Sequence, residues 1–408
     1  MSRRGLGVAV HYNPLLPEHQ RDPYPFYRTL RAEDPVHFHE LLQVWILTRH
    51  ADVTAVLRDP RFSSDRSKIR IPALRLPPVQ EDLREVAAAL ERTMLFADPP
   101  AHTRLRNLVS KAFTPRVIES YRGRILEIVG ALLERAAAAR RLDVIRDLAS
   151  PLPVTLIAEI LGVPPEHRAS FKRWSDDLAV LLDPFVPAPV FERAQQSALE
   201  MHRYLRGVFA ERRRHPRQDL VSRLVLAEEE GDLLSESELF AICALVLGGG
   251  HETTTNLIGN GVLALLRHPE ERQRLQDDPA LIETAVHEFL RYESPVQFTG
   301  RTATADCTLG GKRIAEGDFV VLGLGAANRD PAEFADPEEL DVSRRENRHL
   351  AFGVGIHSCL GGRLACLEAG IAISTLLCRF PGLRPELDEP QWYPAIVSRG
   401  LTTLPVRF

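Results

Sequence analysis

Residues 351–362, AFGVGIHSCLGG, set four glycines and a histidine around one cysteine, Cys359, and the following RLACLEAGIAISTLLCRF carries an apolar face at helical spacing. A thiolate is a nucleophile, a redox centre or a soft metal ligand. A cysteine just before a helix start sits where the dipole and free N–H groups favour that charge. The glycines permit positive φ angles and let another surface approach the backbone. Four uses compete. Zinc asks for further Cys or His ligands at short spacing, and only His357 and Cys366 are near. A nucleophile asks for a base but no glycine platform. A structural cysteine at a tight turn leaves the glycines unexplained. An iron ligand under a flat macrocycle uses them all, with Phe352 and bare backbone against the ring and His357 at its acidic edge.

A second unusual stretch is LSESELFAICALVLGGGHETTTNLIGNGVLALLRHP, which opens with Ser235 and Glu238 spaced as a capping box and continues as a helix of about thirty residues. Gly248, Gly249 and Gly250 lie in its middle, and each costs about 1 kcal/mol relative to alanine. They open a groove beside the helix, or they mark the crossing of two closely packed helices. A threonine hydroxyl there can also pull the local backbone out of register.

The run Phe352-Gly353-x-Gly355-x-His357-x-Cys359-x-Gly361 resembles the haem-binding signature of the cytochrome P450 family, and the resemblance extends over nearly the whole chain. It implies haem b with Cys359 as axial thiolate. It also implies a long central helix across the distal haem face, with Glu252 and Thr253 as the acid–alcohol pair that relays the protons needed to break O–O with loss of water. Glu288 and Arg291, three apart on one helix face, would ordinarily be a solvated pair. The resemblance makes them a buried brace of the cysteine loop, with Arg344 as a third member. His102, Arg106, Arg301 and His357 match the family's usual partners for the two haem propionates. Gly249 stands where many relatives carry alanine.

These residues need a scaffold. PYPFYRTLRAED and HADVTAVLRD read as helices around a strand pair, PVHFHE and QVWILT; residues 61–95 read as irregular. PRVIESYRGRILEIVGALLERAAAA reads as one helix capped by Thr114 with Pro115 in its first turn, and helical pattern dominates to Tyr292. Short strands follow in PVQFTGRTATADCTLGGKRI, DFVVLG and RGLTTLPVRF. The fold is therefore mostly α with small β-sheets, one domain over residues 1–408, and not a doubly wound α/β fold, which alternates strands and helices. The resemblance makes it the triangular prism of the family.

Composition narrows the setting. A net charge of −4 gives no reason to expect nucleic-acid binding, and no run spans a membrane or makes a signal sequence, the first residues included. Five scattered cysteines fit reduced thiols in a cytoplasm, and 47 arginines against 4 lysines hint at a GC-rich bacterial genome.

The resemblance implies a monooxygenase that uses O2 to hydroxylate or epoxidise a hydrophobic small molecule, a terpenoid, fatty acid, polyketide or steroid. Its electrons come from a separate ferredoxin and ferredoxin reductase, and the protein is a monomer. A peroxide-driven hydroxylase of the same fold and a haem-binding sensor are the alternatives. The pocket is expected between residues 63–95, the LLDPFVPAPVF turn, the stretch 296–299 and the stretch 397–402, with Val246, Gly249, Val296, Phe298, Val397 and Leu401 as wall residues. Arg104, Lys111, Arg345 and Arg363 are the expected docking patch for an acidic donor.

Overall fold

The structure is a computed structural model and describes residues 12–69, 71, 84–137, 140–179, 187–229, 232–386 and 389–408. Val36–His39 and Val44–Leu47 form the antiparallel pair expected from their alternation, in the register Val36↔Leu47 and His39↔Val44. Phe319–Gly323 adds parallel to the second strand, Phe298–Ala303 follows antiparallel, and Phe62–Ser63 closes the edge of one five-stranded sheet. Local alternation reveals the strands. It does not reveal that the early hairpin and the late strands share a sheet, because that pairing is set by an apolar cluster including Val36, Leu47, Val53, Phe62 and Leu322.

The larger core lies among helices Arg122–Ala137, Pro151–Ile160, Glu236–Arg267, Ile282–Tyr292 and Gly362–Arg379. Glu236–Arg267 is the central helix. Its capping box is complete, with Ser235 Oγ accepting from the Glu238 N–H and the Glu238 carboxylate accepting from the Ser235 N–H at 2.8 Å. Leu239, Phe240, Leu247, Leu257 and Ile258 are all buried, as in a helix that runs through the interior. No helix among the described residues is long and apolar enough to cross a membrane.

Three expectations need correcting. The helix begun at Thr114 breaks at Tyr121 into Pro115–Ser120 and Arg122–Ala137; Thr114 does cap it, but the Tyr121 N–H turns to the Ile118 carbonyl in a tightened last turn. Residues 61–95 are not wholly irregular, since alanine-rich Arg84–Glu91 is helical. The long helical stretch also contains a strand, Arg141–Asp143, which exists because Pro405–Arg407 returns to pair with it.

Candidate active site

The cysteine loop is shaped by two glycines in the left-handed region, Gly353 at φ +62 and Gly355 at φ +78. A Cβ at Gly355 would stand 2.9 Å from the Leu57 carbonyl, so the loop lies directly on helix His50–Arg58. The Cys359 N–H donates to the Phe352 carbonyl at 2.8 Å, and the Phe352 ring lies over Gly362, where a Cβ would come within 3.3 Å of it. Cys359 thus sits just before helix Gly362–Arg379, and its exposed surface faces a cavity. Burial pushes the Cys359 thiol up, and the Gly361 and Gly362 N–H groups and Arg106 only oppose this. The N–H groups at the helix start do favour the thiolate, but burial outweighs them; a coordinated cation would remove the proton. Among the described residues no group of three or more His, Cys, Asp or Glu side chains could hold a metal, so the zinc alternative lacks a ligand set.

Beside the cysteine lie basic groups without anions. His102, on helix Ala101–Ser110, is 3 % exposed, and neither ring nitrogen has a partner. Its ring centroid is 4.3 Å from that of His357. Arg106, one turn further along, reaches Ser358 Oγ at 3.5 Å. Arg301, 7 % exposed on strand Phe298–Ala303, donates to the Gly300 carbonyl at 2.8 Å. Burial pulls Arg301 down to about 10, and burial with repulsion from Arg301, His102 and Arg106 pulls His357 down to about 3. The nearby Asp98 is already engaged by Ser63, the Ser64 N–H and Lys68. Four buried or half-buried basic groups next to a single spent carboxylate fit a ligand with two acidic arms, which is what haem presents.

The central helix supplies the opposite wall of the cavity, which encloses about 770 Å³ and is mostly apolar. All three glycines line it, and a Cβ at Gly250 would also meet Ile157 at 2.8 Å. Groove and helix crossing are both present, and Gly250 takes part in both, bordering the cavity and packing on helix Pro151–Ile160. The helix runs unbroken through the threonines, so the expected shift of register does not occur; the Thr253 hydroxyl donates to the Gly249 carbonyl at 2.7 Å without displacing it. Glu252 and Thr253 both face the cavity but do not bond to each other. The Glu252 carboxylate accepts from the Tyr393 hydroxyl at 2.7 Å, and Tyr393 in turn accepts from the Asn256 amide. Tyr393 escaped sequence reasoning because it lies 141 residues away in a segment without a motif. Glu368 escaped it too: burial pushes this cavity-lining carboxyl up to about 8, and its Oε2 has no partner.

Val246, Gly249, Val296, Phe298 and Val397 line the cavity as expected. Leu401 does not: strand Leu401–Thr403 turns it into the helical core, where it is 2 % exposed. From the first expected wall stretch come Ser63 to Arg66, Ile69, Ile71, Glu91, Met94 and Leu95, and Phe96 follows just beyond it, while 72–83 lie outside the described residues. So do residues 181–186 of the LLDPFVPAPVF turn.

Glu288 and Arg291 are 0 % exposed and joined by two bonds of 2.7 Å. Arg344 joins them at 3.1 Å. Arg291 also donates to the carbonyls of Asn328, Pro337 and Glu339, and the Asn328 amide oxygen accepts from the Leu350 N–H at the root of the cysteine loop. The pair therefore braces that loop through the intervening segment. Of the expected docking cations, Lys111, Arg345 and Arg363 are exposed, but Arg104 is ion-paired with Glu238 at the start of the central helix. That pairing removes it as a free surface charge.

A helical fold that presents one cysteine, backed by glycines and flanked by unpaired basic groups, to a large apolar cavity defines a haem-thiolate protein. The family model described as Cytochrome P450 matches residues 78–397, and the chain belongs to the cytochrome P450 family. A biotin biosynthesis cytochrome P450 of Bacillus subtilis is 42% identical over 393 residues, covering 96% of this chain and 97% of that protein. The polyketide biosynthesis cytochrome P450 PksS of the same organism is 40% identical, covering 97% and 98%. Among solved structures, P450BioI in complex with acyl carrier protein ligated to hexadec-9Z-enoic acid superposes with a TM-score of 0.89 at 41% identity, covering 96% of this chain and 99% of that one. The cofactor is the protoporphyrin IX haem of the family, and the protein is an oxygen-incorporating oxidoreductase of the bacterial P450 monooxygenase type.

Proposed function

We propose that this protein, acting as a single domain in the cytoplasm, hydroxylates or epoxidises a hydrophobic or amphipathic small molecule with O2 and two electrons delivered by a separate ferredoxin and its reductase. The observation that carries the reading is the cluster of unpaired basic groups beside Cys359 at the floor of the apolar cavity. Haem, held there by the Cys359 thiolate, would supply the activation of dioxygen. His102, Arg106, Arg301 and His357 would hold its propionates, and Phe352, Gly353 and Gly361 would present a low surface to it. Glu288, Arg291 and Arg344 keep the loop in place.

On the other face, Thr253 and Glu252 hold and pass the protons. The Thr253 hydroxyl spends its hydrogen on the Gly249 carbonyl, which leaves its oxygen free to accept a donor from the cavity. Tyr393 fixes the Glu252 carboxylate on the helix flank, so proton transfer from Glu252 requires that bond to be exchanged. The predominantly apolar wall excludes water and selects the carbon that reacts. The relatives of biotin and polyketide biosynthesis, and P450BioI with a fatty acyl chain on a carrier protein, support a long or bulky lipophilic substrate. Exposed Lys111, Arg345 and Arg363 are the docking cations for the acidic donor.

The test is the absorption spectrum of the dithionite-reduced protein with carbon monoxide, for wild type and Cys359→Ser. A strongly red-shifted Soret band lost in the variant supports Cys359 as the thiolate ligand; an unshifted band in fresh wild type refutes the reading. NADH consumption with a surrogate ferredoxin pair, compared with hydrogen peroxide alone, separates the monooxygenase from a peroxide-driven hydroxylase and from a sensor.

A further inference from the structure

One cation in the cavity wall belongs to none of these roles. Arg66 opens a short turn, Arg66–Lys68, which Asp65 caps by accepting from the Ser67 N–H at 2.9 Å. Its guanidinium carbon sits 3.8 Å above the centre of the Phe96 ring, and both residues line the cavity. Stacking of this kind holds the guanidinium plane while leaving its N–H edges free to donate.

Its neighbour Lys68 is already paired, whereas no ion pair engages Arg66 among the described residues. Lys68 binds Asp98 at 2.9 Å and Asp65 at 3.9 Å. No carboxylate among the described residues comes within 4.0 Å of Arg66; Glu91 attracts it from farther off. Burial pulls Arg66 down to about 10, the sign of a charge held without a counter-ion. Among the described residues no hydrogen bond or ring contact links Arg66 to His102, Arg106, Arg301 or His357. Arg301, His102 and Arg106 act on His357, and Asp98 acts on both Arg301 and His357, whereas the charged group acting on Arg66 is Glu91.

We propose that Arg66, stacked on Phe96, binds the carboxylate of the substrate, so that the substrate class is an amphipathic carboxylic acid whose apolar body lies along the cavity wall. A planar guanidinium meets a carboxylate with two parallel hydrogen bonds, and the mostly apolar cavity, which Asp65 and Glu91 also line, strengthens both. This substrate assignment rests on the monooxygenase reading above.

The experiment titrates ferric, haem-loaded protein with dodecanoate, dodecan-1-ol and methyl dodecanoate, reading the spin-state change and, independently, the heat of binding. Charge-assisted bonds of this type correspond to about a 10- to 100-fold preference for the acid over the alcohol and ester in wild type. Arg66→Gln should abolish that preference by weakening the acid alone, and Arg66→Lys should retain part of it. The proposal is overturned by wild type that fails to bind the acid or binds acid and alcohol equally, or by a preference that survives Arg66→Gln. Loss of haem in Arg66→Gln would place the arginine on the cofactor and overturn it as well. Failure of the monooxygenase reading would appear separately, as a wild-type carbon monoxide band without the red shift.

Discussion

Glu288→Gln is the sharpest test of the brace. The Glu288 carboxylate accepts from Arg291 Nε and Nη2 at 2.7 Å, the Asp341 N–H at 2.9 Å, and Arg344 Nε and Asn347 Nδ2 at 3.1 Å. Every neighbour is a donor. A glutamine has the same size but only one acceptor oxygen, so whichever way its amide turns, the NH2 faces an N–H. Arg291, also fully buried, keeps its three backbone carbonyls but loses its one charge partner among the described residues. Removing one member of a buried ion pair costs about 3–5 kcal/mol. That is a large share of a total of about 5–15 kcal/mol. The assay is denaturant unfolding of the haem-loaded protein expressed at low temperature, with haem retention as a second readout, since Arg291 reaches the cysteine loop through Asn328. A variant within about 1 kcal/mol of wild type, the value of an exposed pair, with normal haem retention would refute the argument.

Thr253→Ala should keep its haem but divert reducing equivalents into peroxide; full coupling of NADH to product would exclude the relay role. Tyr393→Phe, which removes the donor to Glu252, should lower coupling less than Thr253→Ala and change the solvent isotope effect on turnover, and an unaltered isotope effect would mean that Tyr393 does not control the carboxylate. Gly355→Ala forces a side chain into φ +78 and against the Leu57 carbonyl, so it should cost about 2 kcal/mol and accelerate haem loss, measured by transfer of haem to apomyoglobin. His251, buried between Ser150 and Ser175 with Asp176 at 3.5 Å and Lys172 in range, is pulled down from 6.5 to about 4, chiefly by burial. As pH falls through 6.5 the unfolded chain takes up this proton first, so stability drops between 6.5 and about 4. Between pH 7 and 5, wild type should therefore lose about 1–2 kcal/mol more than His251→Gln in denaturant midpoints.

What the sequence determined by itself was whatever is written within a few turns of chain. The Phe352-to-Gly361 run, the capping box of Ser235 and Glu238, the Thr114 cap and the one-face spacing of Glu288 and Arg291 are local, and each is realised in the fold. Resemblance to the family joined those pieces into a site. The tertiary structure decided everything that depends on partners distant in the chain. It set all three glycines along the cavity and Gly250 against Ile157 as well, turned Leu401 away from the cavity, spent Arg104 on Glu238, and gave Glu252 a tyrosine instead of its neighbouring threonine. It also isolated Arg66. In the sequence Arg66 is one of 47 arginines; only packing on Phe96, with no acid within reach among the described residues, makes it a charge in want of a ligand. Spacing along a helix or turn is encoded in the order of residues, whereas burial and pairing arise when distant segments exclude water together.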